Sequence, residues 1–88
     1  MEKDIEKHLR IEVKRHGGMA LKFVSPGTSG VPDRIVLLPG GRMFFAELKA
    51  PGRKPRPLQM KMHRELRQLG FIVLVIDGKE QIDEIFTA

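Results

Sequence analysis

The chain has no cysteine, which excludes a disulfide framework, a thiolate zinc site and a cysteine nucleophile. Tryptophan and tyrosine are also missing, so Phe23, Phe44, Phe45, Phe71 and Phe86 are its only aromatics. They are expected in the core, which leaves no exposed ladder for stacking single-stranded bases. No apolar run approaches the length of a membrane span. The opening Met1-Glu2-Lys3-Asp4 is charged where a secretion signal would be apolar, so an intracellular, cytoplasmic protein is expected. No Gly-x-x-x-x-Gly-Lys-Ser/Thr loop is present for a nucleotide. His8, His16 and His63 have neither a His-x₃-His spacing nor cysteines to complete a zinc set.

At 88 residues, the chain is expected to form one domain over residues 1–88, at the small end for a single core. Limited burial makes a homodimer a reasonable expectation. The formal charge is +5. Lys49, Arg53, Lys54, Arg56, Lys61, Arg64 and Arg67 face only Glu65 within 49–67, whereas Asp77, Glu80, Asp83 and Glu84 dominate the end. The basic block reads either as a solvated face or as a surface that tracks phosphates, with binding that weakens in salt.

Residues 2–16 read as a helix, with Ile5, Leu9 and Val13 on one face and Gly17-Gly18 as the stop. Glu2, Glu12 and His16 fall within or beside that stripe, and Glu6 lies on its edge. Acids there ask for a reason. Residues 19–24 read as a strand, and Ser25–Gly30 as a loop. Residues 33–38 and 43–49 form the clearest hairpin, turned at 39–42. Ile35 onward is apolar enough to be buried on both faces. A proline-rich basic connection leads to a helix over 58–69, with Leu58, Met62, Leu66 and Leu69 as its core stripe. Residues 72–76 read as a buried central strand and 79–86 as a short helix. The order is αβββαβα, an α/β chain, and the helix between the last two strands suggests a crossover to a parallel or mixed arrangement.

Glu47 and Lys49 are two apart on a strand and leave the same face, which they share with Phe45. Asp33 opens the partner strand, so pairing brings it to the same end of the hairpin. Two carboxylates and a backbone carbonyl, that of Leu48, suit a hard cation that keeps several waters. Such an ion lowers the pKa of bound water and offsets charge that grows on a phosphate. Lys49 is suited to positioning the water or stabilising phosphate charge, with deprotonation of the water as a third role. A plain salt bridge closing a hairpin explains the same three residues. Ser25, Thr28 and Ser29 fit either phosphate binding or turn chemistry. Arg34 fits a DNA contact or a structural ion pair. His63, one turn beyond Gln59, reads as a surface or boundary histidine, with phosphate contact as the other option.

Gly30-Val31-Pro32-Asp33-Arg34, Phe45-Ala46-Glu47-Leu48-Lys49-Ala50-Pro51-Gly52 and Gln59 together make the chain resemble the VRR-NUC family, the virus-type replication-repair nucleases of the PD-(D/E)XK superfamily. The resemblance runs over essentially the whole chain and is nearest the compact, stand-alone phage and prophage form. It implies a restriction-endonuclease-like fold, a mixed sheet flanked by helices, and DNA cleavage dependent on Mg²⁺, with Mn²⁺ substituting. It implies a metal held by Asp33, Glu47 and the Leu48 carbonyl, with Lys49 catalytic. Gln59 matches a family glutamine near the site, its amide free to bond phosphate or a ligand carboxylate. An acid from the first helix, matched by Glu2 with Glu6 and Glu12 as rivals, would hold a metal-bound water or second ion. Arg53, Lys54, Arg56, Lys61 and Arg64 would join Ser25, Thr28, Ser29 and Arg34 on DNA. The expected activity is a dimeric, Holliday-junction resolvase-like endonuclease acting on branched DNA. The alternatives are a flap or exonuclease-type enzyme and a non-catalytic junction-binding module.

Overall fold

The computed structural model describes residues 1–87. The elements follow the expected order: α1 (Glu2–Arg15), β1 (Met19–Lys22), β2 (Arg34–Leu38), β3 (Arg42–Leu48), α2 (Pro57–Gln68), β4 (Val73–Ile76) and α3 (Lys79–Phe86). A single sheet runs β1-β2-β3-β4. Its first three strands are antiparallel, and β4 returns parallel to β3 through α2. No helix among the described residues is long and apolar enough to cross a membrane.

The β2–β3 hairpin is set by Pro39-Gly40-Gly41. Leu38 pairs with Arg42 across a turn in which Gly40 and Gly41 take φ of 82° and 75°. A side chain at either position would strain that left-handed backbone. The turn fixes the register, with Arg34 opposite Ala46. Asp33 therefore lies across from Glu47, one step beyond the last pair.

One face of the sheet carries the core. Val36, Phe44, Ala46, Leu48 and Ile76 pack beneath Ile5, Leu9 and Val13 of α1 and Ile82 of α3. The four-residue spacing on α1 delivers its buried stripe as expected. Each of these larger side chains contributes roughly 1.5–3 kcal/mol of burial.

The opposite face is only partly covered, and four expectations change there. Strand β2 is buried on one face, not both: Leu37 is exposed and Ile35 half-buried, because α2 packs on β4 and leaves the β1–β2 half of the sheet open. Strand β4 is an edge strand rather than a central one, its apolar residues sheltered by helices instead of by a further strand. The stripe expected on α2 is displaced by one residue, about 100° of helix. Leu58 and Leu69 are 53% and 74% exposed, Met62 and Leu66 are half-buried, and Gln59 and His63 face inward instead. Phe44 and Phe45 are buried, but Phe71 sits at the rim with its edge on Phe45.

Candidate active site

The open face orders its side chains in rows, because residues paired across antiparallel strands point the same way. Met19, Leu37 and Met43 form one row, and Leu21, Ile35 and Phe45 the next. Asp33 and Glu47 continue the pattern at the end of the sheet, and Lys49 lies one step beyond. Phe45 stacks on Phe23 at 5.6 Å and walls the apolar side of this polar end.

Glu47 is 1% exposed and is the centre of the cluster. Its Oε2 accepts a 2.9 Å hydrogen bond from Gln59 Nε2 and lies 3.5 Å from Lys49 Nζ. Its Oε1 faces His63 Nε2 at 3.6 Å. Burial, and then the negative charge of Asp33, push its pKa up to about 7, against the opposing pull of Lys49. Asp33 is itself held in place: its Oδ2 accepts the Leu48 backbone N–H at 2.8 Å.

Gln59 is oriented from both ends. It is the third residue of α2, and its Oε1 accepts the Arg56 backbone N–H at 2.9 Å. That bond satisfies a donor left free at the helix start and turns the amide N–H₂ toward Glu47. The start of α2 is held close to the Ser25–Gly30 loop. Gly30 has φ of 85°, and a Cβ on it would stand 2.6 Å from the Leu58 carbonyl oxygen, so both conformation and space require glycine.

The fit to a divalent cation rests on the donor set. Asp33 and Glu47 share a face with Lys49 beside them, and the Glu47 pKa is raised first by burial and then by the charge of Asp33. No group of three or more His, Cys, Asp or Glu side chains suited to a metal occurs among the described residues. Two carboxylates completed by a main-chain carbonyl and water suit Mg²⁺, which keeps waters, better than zinc.

A cleft of about 250 Å³ adjoins Asp33 and is lined by Glu2, Glu6, Lys22 and Arg34. It separates the three helical acids. Glu12 lies well along α1 and pairs with Arg15 at 2.9 Å. Glu6 is 3.3 Å from Arg34. Glu2 lines the cleft with no ion-pair partner among the described residues.

The other expected contacts divide. Arg34 is buried and donates to the Ala20 carbonyl at 3.1 Å as well as pairing with Glu6. Its contacts are those of a structural ion pair, because β2 directs it to the α1 side of the sheet. Thr28 and Ser29 are exposed and Ser25 is half-buried, in a turn closed by Thr28 N–H to the Ser25 carbonyl at 3.1 Å. Arg53, Lys54, Arg56, Lys61 and Arg64 are all exposed, with no ion-pair partner among the described residues. His63 departs from expectation most. It is 2% exposed and lies against Glu47, not at the surface. The signal for it in the sequence is its spacing of four from Gln59, which puts both on one helix face.

Comparison with known proteins follows the same outline. A curated phage protein, "Putative nuclease p44" of Acyrthosiphon pisum secondary endosymbiont phage 1, is 54% identical over 79 residues, spanning 90% of this chain and 85% of its own. A solved structure described as "VRR_NUC domain" superposes with a TM-score of 0.89 at 33% identity, covering 96% of this chain and 91% of its own. No family model matches the chain.

Proposed function

The chain belongs to the VRR_NUC nucleases, and from that premise we propose that it is a Mg²⁺- or Mn²⁺-dependent DNA endonuclease that hydrolyses phosphodiester bonds in branched DNA as a homodimer. The observation that carries the metal-dependent reading is the buried Glu47 held opposite Asp33, with Lys49 Nζ 3.5 Å from its Oε2. A carboxylate pair repels phosphate unless a cation lies between them, so the cluster suits cleavage better than simple DNA binding.

Asp33, Glu47 and the Leu48 carbonyl would hold the ion, which supplies an activated water and charge neutralisation at phosphate. Gln59 fixes the Glu47 carboxylate. Lys49, 3.5 Å from the Glu47 carboxylate, would orient the attacking water and stabilise charge on the phosphate oxygens. Glu2, across the adjoining cleft from Asp33, would hold a water of the metal shell. Arg53, Lys54, Arg56, Lys61 and Arg64 would form the path for the backbone, joined by Ser25, Thr28 and Ser29 of the loop before β2.

The homodimer rests on the open half of the sheet. Met19, Leu21 and Leu37 are exposed in adjacent rows that continue from the acidic row. Apolar sheet of this kind suits burial against a second copy. Two sites related by a dyad would then nick two strands symmetrically.

Labelled four-way junctions, flaps and plain duplex, each incubated with Mg²⁺, Mn²⁺ or EDTA, test the proposal. Metal-dependent nicks placed symmetrically about the junction are expected. Preferential cutting of flaps or free ends favours a flap or exonuclease-type enzyme. Tight junction binding with no cutting in any metal would leave a non-catalytic junction-binding module.

A further inference from the structure

Gln59 and His63 stand four residues apart on α2 and present their polar atoms to the two oxygens of one carboxylate. Gln59 takes Glu47 Oε2. Glu47 Oε1 and His63 Nε2 are both buried, and neither has a hydrogen-bond partner among the described residues. They face each other at 3.6 Å. Buried polar atoms ask for a partner, and these two face each other; a carboxylate oxygen has lone pairs for both an imidazole N–H and a cation. A closing movement of a few tenths of an ångström brings them within hydrogen-bond distance, and such contacts tighten as an active site fills.

We propose that His63 is a positioning residue, which holds the Oε1 side of Glu47 as Gln59 holds the Oε2 side. This inference rests on Glu47 being a metal ligand. Glu47 leaves a strand as a long side chain with several rotatable bonds, and a single hydrogen bond would let its carboxylate swing about Gln59. Bonds at both oxygens, from one rigid helix, fix its plane. The role belongs to the imidazole N–H at the Nε2 position, with the ring body filling the space between α2 and β3.

Three proteins separate positioning from packing: the wild type, His63→Phe and His63→Gln. Phenylalanine keeps the volume and removes the donor, while glutamine restores an N–H near the Nε2 position. Calorimetric titration with Mn²⁺ alone, without DNA, is the main readout. His63→Phe is expected to weaken Mn²⁺ binding by roughly 10–100-fold. His63→Gln should recover most of the loss, and the melting temperature of His63→Phe should not fall. In cleavage, the metal concentration for half-maximal rate should rise for His63→Phe and recover for His63→Gln. His63→Leu provides the same comparison if phenylalanine prevents folding. The inference is overturned if His63→Phe binds Mn²⁺ like the wild type, or if His63→Gln is no better than His63→Phe. A wild type that binds no Mn²⁺ and cuts no DNA instead overturns the nuclease reading itself.

Discussion

Glu47 keeps its proton to about pH 7, where an exposed glutamate would have lost it near 4.5. Burial is the larger cause and Asp33 the next. The raised value sets the sign for stability. Below pH 4.5 the group is protonated whether folded or unfolded, and its stabilising effect is fully present. Between 4.5 and 7 the unfolded chain releases the proton first, so stability is lost, by about 3 kcal/mol in full. Burial lowers the pKa of His63, which acts in the opposite sense, losing stability as pH falls below its ordinary 6.5. Comparison with Glu47→Gln isolates the glutamate: the melting temperature of the metal-free wild type relative to Glu47→Gln should fall as pH rises from about 5 to about 8. Equal pH dependence in the two proteins would contradict the buried-carboxylate account. Lys49→Ala should lower kcat by roughly 10²–10³-fold with little change in DNA binding, because its charge acts where phosphate charge develops. A fall in binding alone, measured by titration of uncut DNA in Ca²⁺, would argue against that role. Asp33, Glu47 and Lys49 are legible in the sequence because strand alternation fixes which way neighbours point. His63 is harder to read: its polarity argues for the surface, and only its spacing of four from Gln59 signals the inward face it takes.

The element that completes the site is α2, and its placement depends on the loop before β2. Gly30→Ala should destabilise the protein by roughly 1–3 kcal/mol from the backbone conformation alone, and more from the clash with the Leu58 carbonyl. The effect should reach Gln59 and Glu47, so cleavage should fall even at temperatures where the variant remains folded. A calorimetric melting temperature indistinguishable from the wild type would contradict the close packing of loop and helix. The hairpin, α1 and α3 can be read from apolar spacing and turn residues. Helix α2 cannot be read the same way, because its inward face is polar: it buries Gln59 and His63 while Leu58 and Leu69 point outward. Hydrophobic periodicity locates a core face, and α2 faces a site as much as a core. Strand β4 reads as a central strand for a related reason, since helices shelter an edge strand as well as neighbouring strands do.

For the whole molecule, the charge of +5 is spread unevenly, with the exposed Arg53, Lys54 and Arg56 on the connection from β3 into α2. Replacing Lys54 and Arg56 by glutamine should reduce the salt dependence of DNA binding, lowering the slope of log K against log salt by about 1 for each phosphate left without its cation. An unchanged slope would remove that loop from the DNA path. The open apolar rows of β1 and β2 predict a solution mass near twice the 10.0 kDa of one chain by light scattering. Leu21→Arg should halve it, and a wild-type monomer at working concentration would argue against symmetric junction cleavage. If Asp33 and Glu47 hold a hard cation that makes this surface a nuclease, cleavage of a labelled four-way junction by wild type and Asp33→Ala, each in Mg²⁺ and in EDTA, decides it. Products are expected only for the wild type in Mg²⁺; equal cutting by Asp33→Ala, or by the wild type in EDTA, would contradict the claim.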